Sequence, residues 1–202
     1  MSKKRGFVDE LITAIPGEWK FDKDVAQSFD THVRKSIPLY DEVQRMVVEM
    51  SEWFIKDGSV VYDIGSSTGE TIFLLQNKHS GKKNVRFVGI EKSFSMIEEA
   101  RKKCNAENVQ FLNRDVAEIP EFSNAKFITS LYTLQFLTLK DRKKVLQKIY
   151  EDLNDGGAFV MVEKIRAESS FFEDLWLELY WDFKRNQGLT DDMIIQKARS
   201  LR

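Results

Sequence analysis

Between residues 39 and 56 the apolar residues Val43, Met46, Val47, Met50, Trp53 and Phe54 recur at steps of three and four. That spacing predicts an amphipathic helix with one buried face. Residues 21–36 read as a helical arm ahead of it, and residues 1–20 are mixed, with a turn signal at Pro16-Gly17. Beyond residue 56 the pattern changes to short, nearly continuous apolar runs at 59–64, 85–91, 109–113, 126–132 and 158–163, which predict five strands. Helical patterns separate them at 70–77, 93–104 and 141–153, the last with Val145, Leu146 and Ile149 facing inward. Asp155-Gly156-Gly157 marks a turn, and two further helices are predicted over 168–186 and 190–201.

Strands alternating with helices at these spacings imply an α/β fold of the Rossmann-like type, a parallel sheet with helices on both faces. Strands covered on both faces are expected to be apolar throughout, as these are. The fifth strand, with Phe159, Val160, Met161 and Val162, is then an open edge, a liability unless it is paired or covered. The expectation is that C-terminal strands are missing from this sheet or that a partner covers its edge. The chain divides into a helical arm or lid over 1–39 and a ligand-binding domain over 40–202.

Composition narrows the function classes. A formal net charge of −1 gives no overall attraction to nucleic acid or to an anionic membrane. The basic runs Lys3-Lys4-Arg5, Lys102-Lys103 and Arg142-Lys143-Lys144 lack aromatic interleaving and read as solvated faces, so no direct nucleic-acid binding is expected. Cys104 is the single cysteine, which excludes an intrachain disulfide and a cysteine zinc site. The basic start Met1-Ser2-Lys3-Lys4-Arg5 is not followed by an apolar core of signal-peptide length, and no run is long enough to span a bilayer. A cytoplasmic protein without a metal site is the expectation.

The candidate chemistry starts at Asp63-Ile64-Gly65-Ser66-Ser67-Thr68-Gly69, between the first strand and the next helix. Gly65 permits a tight turn, Gly69 a close helix, and amide groups at the helix start face ligand acceptors. Ser67 stands where a stricter dinucleotide pattern has glycine, and the same turn also occurs in folds that bind nothing there. Glu91 ends the second strand about 20 positions on, where an acidic residue accepts hydrogen bonds from ribose hydroxyls. It could equally cap the helix at Ser93. Asp115-Val116 follows the third strand, where a carboxylate and a backbone amide can read an adenine edge; Lys92 lies beside Glu91. All three strand ends fall on the sheet edge where open α/β folds bind ligands. A phosphate-free nucleoside such as S-adenosylmethionine tolerates the looser glycine pattern, and Asp63 can attract its methionine ammonium.

Several stretches resemble the carboxy-S-adenosylmethionine synthases. They include Phe21-Asp22, Val25-Ala26, Arg34-Lys35-Ser36-Ile37-Pro38-Leu39-Tyr40, Val61-Tyr62-Asp63-Ile64-Gly65-Ser66-Ser67 and Ser93 with Met96-Ile97-Glu98. Thr133-Leu134-Gln135-Phe136-Leu137, Asp152-Leu153-Asn154-Asp155-Gly156-Gly157-Ala158, Glu163-Lys164, Asp182-Phe183-Lys184-Arg185 and Gln196-Lys197 continue it. The resemblance implies a class I methyltransferase fold and a cofactor of S-adenosylmethionine or its carboxylated form, over which Tyr40 closes. It also implies a homo-oligomer and a further C-terminal segment. Such enzymes take a carboxyl group from prephenate and place it on the cofactor's methyl, and a second enzyme passes the carboxymethyl group to a tRNA wobble uridine.

Three departures matter. Leu131 replaces an asparagine near the cofactor, just before a run that begins with phenylalanine in the family and with Tyr132 here. Ala198 replaces an arginine that holds the extra carboxylate; Arg199 follows one step later, rotated by about 100° on a helix. Tyr180-Trp181 replaces a His-His pair, and these two side chains with Arg199 are the candidates for a substrate or carboxylate site. The first expectation is therefore a methyltransferase acting on a small molecule. A carboxy-S-adenosylmethionine synthase comes second and a non-catalytic binding domain third. No general base is evident: His32 and His79 read as structural or solvent-exposed, and Cys104 as a packing residue.

Overall fold

The computed structural model describes residues 5–201, so the Met1–Lys4 part of the basic start lies outside the described residues. The chain forms two compact units, Glu42–Lys164 and a second made of Met1–Asp41 with Ile165–Arg202.

The larger unit holds a five-stranded parallel sheet in the order β5-β4-β3-β6-β7. Its strands are β3 (Val60–Ile64), β4 (Arg86–Glu91), β5 (Val109–Asn113), β6 (Ala125–Leu131) and β7 (Leu153–Val162). The helices of this unit are α3 (Glu70–Lys78), α4 (Phe94–Lys103) and α5 (Leu139–Asp152), preceded by most of α2 (Tyr40–Ser51). Apolar side chains cover both sheet faces. Val61, Phe87 and Phe127 join Val47, Ile72, Leu75 and Ile97 on one side. Tyr62, Ile64, Ile90 and Ile128 join Val116, Leu134, Val145 and Ile149 on the other. Alternate residues of each strand thus enter different cores, which is why the strands read as unbroken apolar runs. Cys104, the C-cap of α4, is buried in the first of these cores.

The strand order reverses beside β3, whose neighbours β4 and β6 carry the chain away in opposite directions. Such a reversal opens a crevice at the carboxyl ends of the two strands. The predicted strands and helices agree with those observed to within a few residues, with three differences. Helix α2 ends at Ser51, before Trp53, and of the face expected to be buried Met46, Met50 and Trp53 are exposed. The Asp155-Gly156-Gly157 turn lies inside β7: Leu153 pairs with Ala125 and Ala158 with Phe127, so four residues bulge opposite Lys126. Gly156 supplies the left-handed backbone that the bulge requires (φ 68°). β7 is an edge strand, with Met161 exposed.

The second unit contains a short antiparallel pair that hydropathy did not predict, β1 (Gly6–Phe7) with β2 (Thr13–Ala14). It joins α1 (Lys23–Ser36), α6 (Ser170–Asn186) and α7 (Asp191–Ser200). Backbone bonds tie the N-terminal segment to α7: Gly17 N–H donates to Arg199 O at 2.9 Å and Trp19 N–H to Ser200 O at 3.1 Å. His32 is buried here and bridged on both ring nitrogens, Nδ1 to Asp9 at 2.6 Å and Nε2 to Ser36 Oγ at 3.3 Å. The Trp19 ring stacks on His32, and the Lys197 ammonium lies over the Trp19 face.

His79 is the corresponding polar tie in the larger unit. Ser51 Oγ donates to Val48 O at 2.6 Å, so it accepts from His79 Nε2–H, also at 2.6 Å. His79 Nδ1 then accepts from Lys82 Nζ at 2.9 Å. Burial and the Lys82 charge push the His79 pKa down to about 4. The folded state therefore binds fewer protons at this ring than the unfolded state between pH 6.5 and about 4. The stabilisation from His79 is complete above pH 6.5 and is lost as the pH falls toward 4. In thermal denaturation, His79→Gln is expected to cost about 1 kcal/mol at pH 7.5 and to shrink the fall in Tm between pH 6.5 and 4.5.

Candidate active site

Ten of the predicted site residues lie together at the carboxyl edge of the larger unit: Asp63, Gly65, Ser66, Ser67, Gly69, Glu91, Lys92, Asp115, Val116 and Leu131. The loop after β3 turns through three left-handed residues, Gly65 (φ 70°), Ser67 (φ 49°) and Gly69 (φ 79°). This explains why stricter patterns put glycine at the Ser67 position: a side chain there is strained. A Cβ at Gly65 would overlap the Thr133 side chain, so this glycine lets β6's exit pack against the loop. Gly89 is equally confined, since a Cβ would meet Phe111 at 2.5 Å.

The Glu91 carboxylate fixes the loop. Its Oε2 accepts Ser67 N–H at 3.1 Å and its Oε1 accepts Ser93 N–H at 2.8 Å. It thus performs the capping role at Ser93 and holds the loop at once. Burial raises its pKa against the lowering effect of those amides. Gly65 and Ser66 both donate backbone bonds to Ile90 O, at 2.8 and 3.0 Å. Helix α3 starts at Gly69 with no side-chain cap. By contrast α1, α4, α5, α6 and α7 begin at capping Asp22, Ser93, Thr138, Ser169 and Thr190. The positive end of α3 is therefore offered to an acceptor from outside the helix.

Asp63 is fully enclosed below the loop, where its Oδ1 accepts from Thr129 Oγ1 at 2.7 Å. Thr71 also hydrogen-bonds it, and the Thr71 hydroxyl lies 3.1 Å from Gln44 Oε1. Burial, reinforced by the Glu91 charge, pushes the Asp63 pKa up to about 7. On the β5 side Asp115 caps a 3₁₀ turn through Ala117 N–H (3.0 Å), and Lys92 reaches its other oxygen at 2.8 Å. Val116 is buried, and Leu131 packs against the apolar core around Phe127.

Sequence reasoning missed several members of this edge. Glu163, at the end of β7, accepts from Leu134 N–H at 2.7 Å and Gln135 N–H at 3.3 Å, holding the segment after β6. Thr129, Thr133 and Tyr132 belong to the same neighbourhood. Only the placement of Glu163 and Thr129 on adjacent strands could have signalled them. The remaining candidates lie in the other unit. Tyr40 starts α2, with the Arg34 guanidinium 5.7 Å from its ring centroid. Tyr180 O–H donates to Ser36 O at 2.8 Å, Trp181 is half-buried and Arg199 is exposed on α7. Among the described residues no group of His, Cys, Asp and Glu is placed to hold a metal ion, and no helix is long and apolar enough to cross a membrane.

A family model described as a methyltransferase domain matches residues 61–157. The chain is 37% identical over 188 residues to the carboxy-S-adenosyl-L-methionine synthase of Staphylococcus epidermidis, covering 93% of this chain and 81% of that one. It is 33% identical to the enzyme of the same name from Nautilia profundicola, over 93% of this chain and 79% of that one. A solved putative S-adenosylmethionine-dependent methyltransferase from Methanococcus maripaludis superimposes with a TM-score of 0.55 at 19% identity, over 91% of this chain and 84% of that one. DhpI, solved with SAM and HEP, gives 0.56 at 19% identity, over 76% and 66%. At these identities the two solved structures establish the fold, a class I methyltransferase sheet.

The enclosed Asp63 yields a stability prediction for the ligand-free protein. Its carboxyl binds more protons folded than unfolded between pH 3.8 and about 7, so its contribution is present below pH 3.8 and lost as the pH rises toward 7. Asp63→Asn should stabilise the protein at pH 8 by on the order of 1–3 kcal/mol. That gain should disappear at pH 4; denaturant titrations at the two pH values measure it.

Proposed function

This chain belongs to the carboxy-S-adenosyl-L-methionine synthase family, and from that premise we propose that it binds S-adenosylmethionine at the carboxyl edge of the sheet and transfers a one-carbon group there. The residues fit that cofactor. Ser66 Oγ is buried without a hydrogen-bond partner among the described residues, the Gly65 turn is tight, and the start of α3 lacks a side-chain cap. Glu91 carries the reading: its carboxylate, fixed by two amides, keeps lone pairs for two ribose hydroxyls. The start of α3 would receive the methionine carboxylate, Asp63 the ammonium and Asp115 the adenine amino group. Bound there, the cofactor would supply a methyl carbon on a sulfonium, electrophilic toward an acceptor in methyl transfer and acidified at its C–H for carboxylation.

For the reaction, the likeness to two synthases over 93% of the chain supports carboxy-S-adenosylmethionine formation ahead of methyl transfer to a small molecule. The carboxyl donor is then prephenate, and the product serves tRNA wobble-uridine modification. Two observations favour the methyltransferase reading: Leu131 packs against the core, and Ala198 offers no group to a carboxylate.

Two measurements test these readings. Glu91→Ala should weaken S-adenosylmethionine binding at least tenfold in calorimetry, about 1.4 kcal/mol; unchanged affinity removes its ribose role. Mass spectrometry of purified protein incubated with S-adenosylmethionine and prephenate should detect carboxy-S-adenosylmethionine. Cofactor binding without that product overturns the synthase reading and leaves methyl transfer, whereas no binding of either cofactor leaves only a non-enzymatic role.

A further inference from the structure

Five described residues other than glycine hold left-handed backbone: Leu39, Ser67, Asn84, Asn124 and Tyr132. Asparagine tolerates this region, and the strain at Ser67 is explained by its amide bond to Glu91. Tyr132, with φ 58°, is the bulkiest of the five, and left-handed backbone is strained for a tyrosine. It stands at the carboxyl end of β6, directly across from the loop after β3, where the strand order reverses.

The surroundings hold Tyr132 in place. Its N–H donates to Val162 O at 2.7 Å, and its carbonyl accepts from Gln135 Nε2 at 3.0 Å. Thr133, next in the chain, fills the space above Gly65, and Glu163 clamps the two amides that follow. The backbone of Tyr132 is thus fixed by contacts from β7 and from its own turn, and its half-buried ring stands at the carboxyl end of β6. Burial, with the Glu163 charge in the same direction, raises the phenol pKa and keeps it neutral. A neutral aromatic face with a carboxylate nearby attracts a cation.

We propose that the Tyr132 ring is a positioning face for the sulfonium of the bound cofactor, and that the strained backbone at the end of β6 is retained to present it. The proposal rests on the S-adenosylmethionine reading above. Strain concentrated at a ligand edge and over-determined by its neighbours is the pattern expected when conformation serves binding. Were the residue only a turn element, asparagine or glycine would serve it better.

Calorimetric titration with S-adenosylmethionine, a cation at sulfur, and S-adenosylhomocysteine, a neutral thioether of nearly the same shape, separates the possibilities. Tyr132→Leu is expected to weaken the cationic ligand about tenfold and the neutral one less than threefold. Tyr132→Phe, which keeps the ring, should bind both within threefold of the unmodified protein. Tyr132→Asn suits the left-handed backbone; it should match or exceed the parent Tm while showing the same selective loss, which covers the case in which the leucine variant fails to fold. Equal losses for both ligands, or no loss, would overturn the proposal. If the unmodified protein binds neither ligand, the cofactor reading itself falls; if it binds both and the variants lose no selectivity, only the role of Tyr132 does.

Discussion

The carboxylate of Glu91 is the constraint on which the rest of the edge depends. It is attached to β4, yet it accepts one amide from the loop after β3 and one from the start of α4. Without that acceptor the left-handed Ser67 would have no compensation for its strain, and the Gly65 and Ser66 amides on Ile90 O would be left to hold the loop beside β4. The surrounding packing agrees with it. Gly89 lets Phe111 lie against β4, Gly69 lets Ala100 and Phe111 approach α3, and Gly65 admits Thr133. Three glycines and one carboxylate convert a common strand-to-helix connection into a rigid rim.

The sheet was legible because its signal is local. β5 was predicted to the residue, and β3, β4 and β6 to within one, since each is an apolar run bounded by polar residues. The placement of Glu91 and Asp115 at the carboxyl edge was legible for a related reason: both sit at fixed offsets from strand ends. Other parts depend on partners far away in sequence. Thr129 matters because Asp63 lies across from it, and Glu163 because the amides of Leu134 and Gln135 point at it. No periodicity reports such pairs. The β1–β2 pair escaped because two-residue strands carry no alternation. The Gly156-Gly157 signal was sound as a turn, but register showed it to be a bulge within one strand.

Both histidines belong to structural relays of the interior. His32 joins Asp9 to Ser36 within α1's unit, and His79 joins Ser51 to Lys82 at the ends of α2 and α3. Each is satisfied on both ring nitrogens, as buried polar groups generally are. In the larger unit the His79 and Asp63 sites respond to pH in opposite senses, one losing stability on acidification and the other gaining it. These two buried sites therefore contribute to the pH dependence with opposite sign, and the ring and the carboxyl must be altered separately to read either.

Cys104 closes α4 deep in the core of the larger unit, and it is the only thiol in the chain. A thiol reagent can reach it only when that core opens. Its rate of modification is therefore a clock for the opening of one unit, silent about the other. Under conditions where closing outpaces the reagent, that rate gives the opening free energy directly. The molecule thus carries its own label for asking whether a ligand at the rim tightens the sheet beneath it.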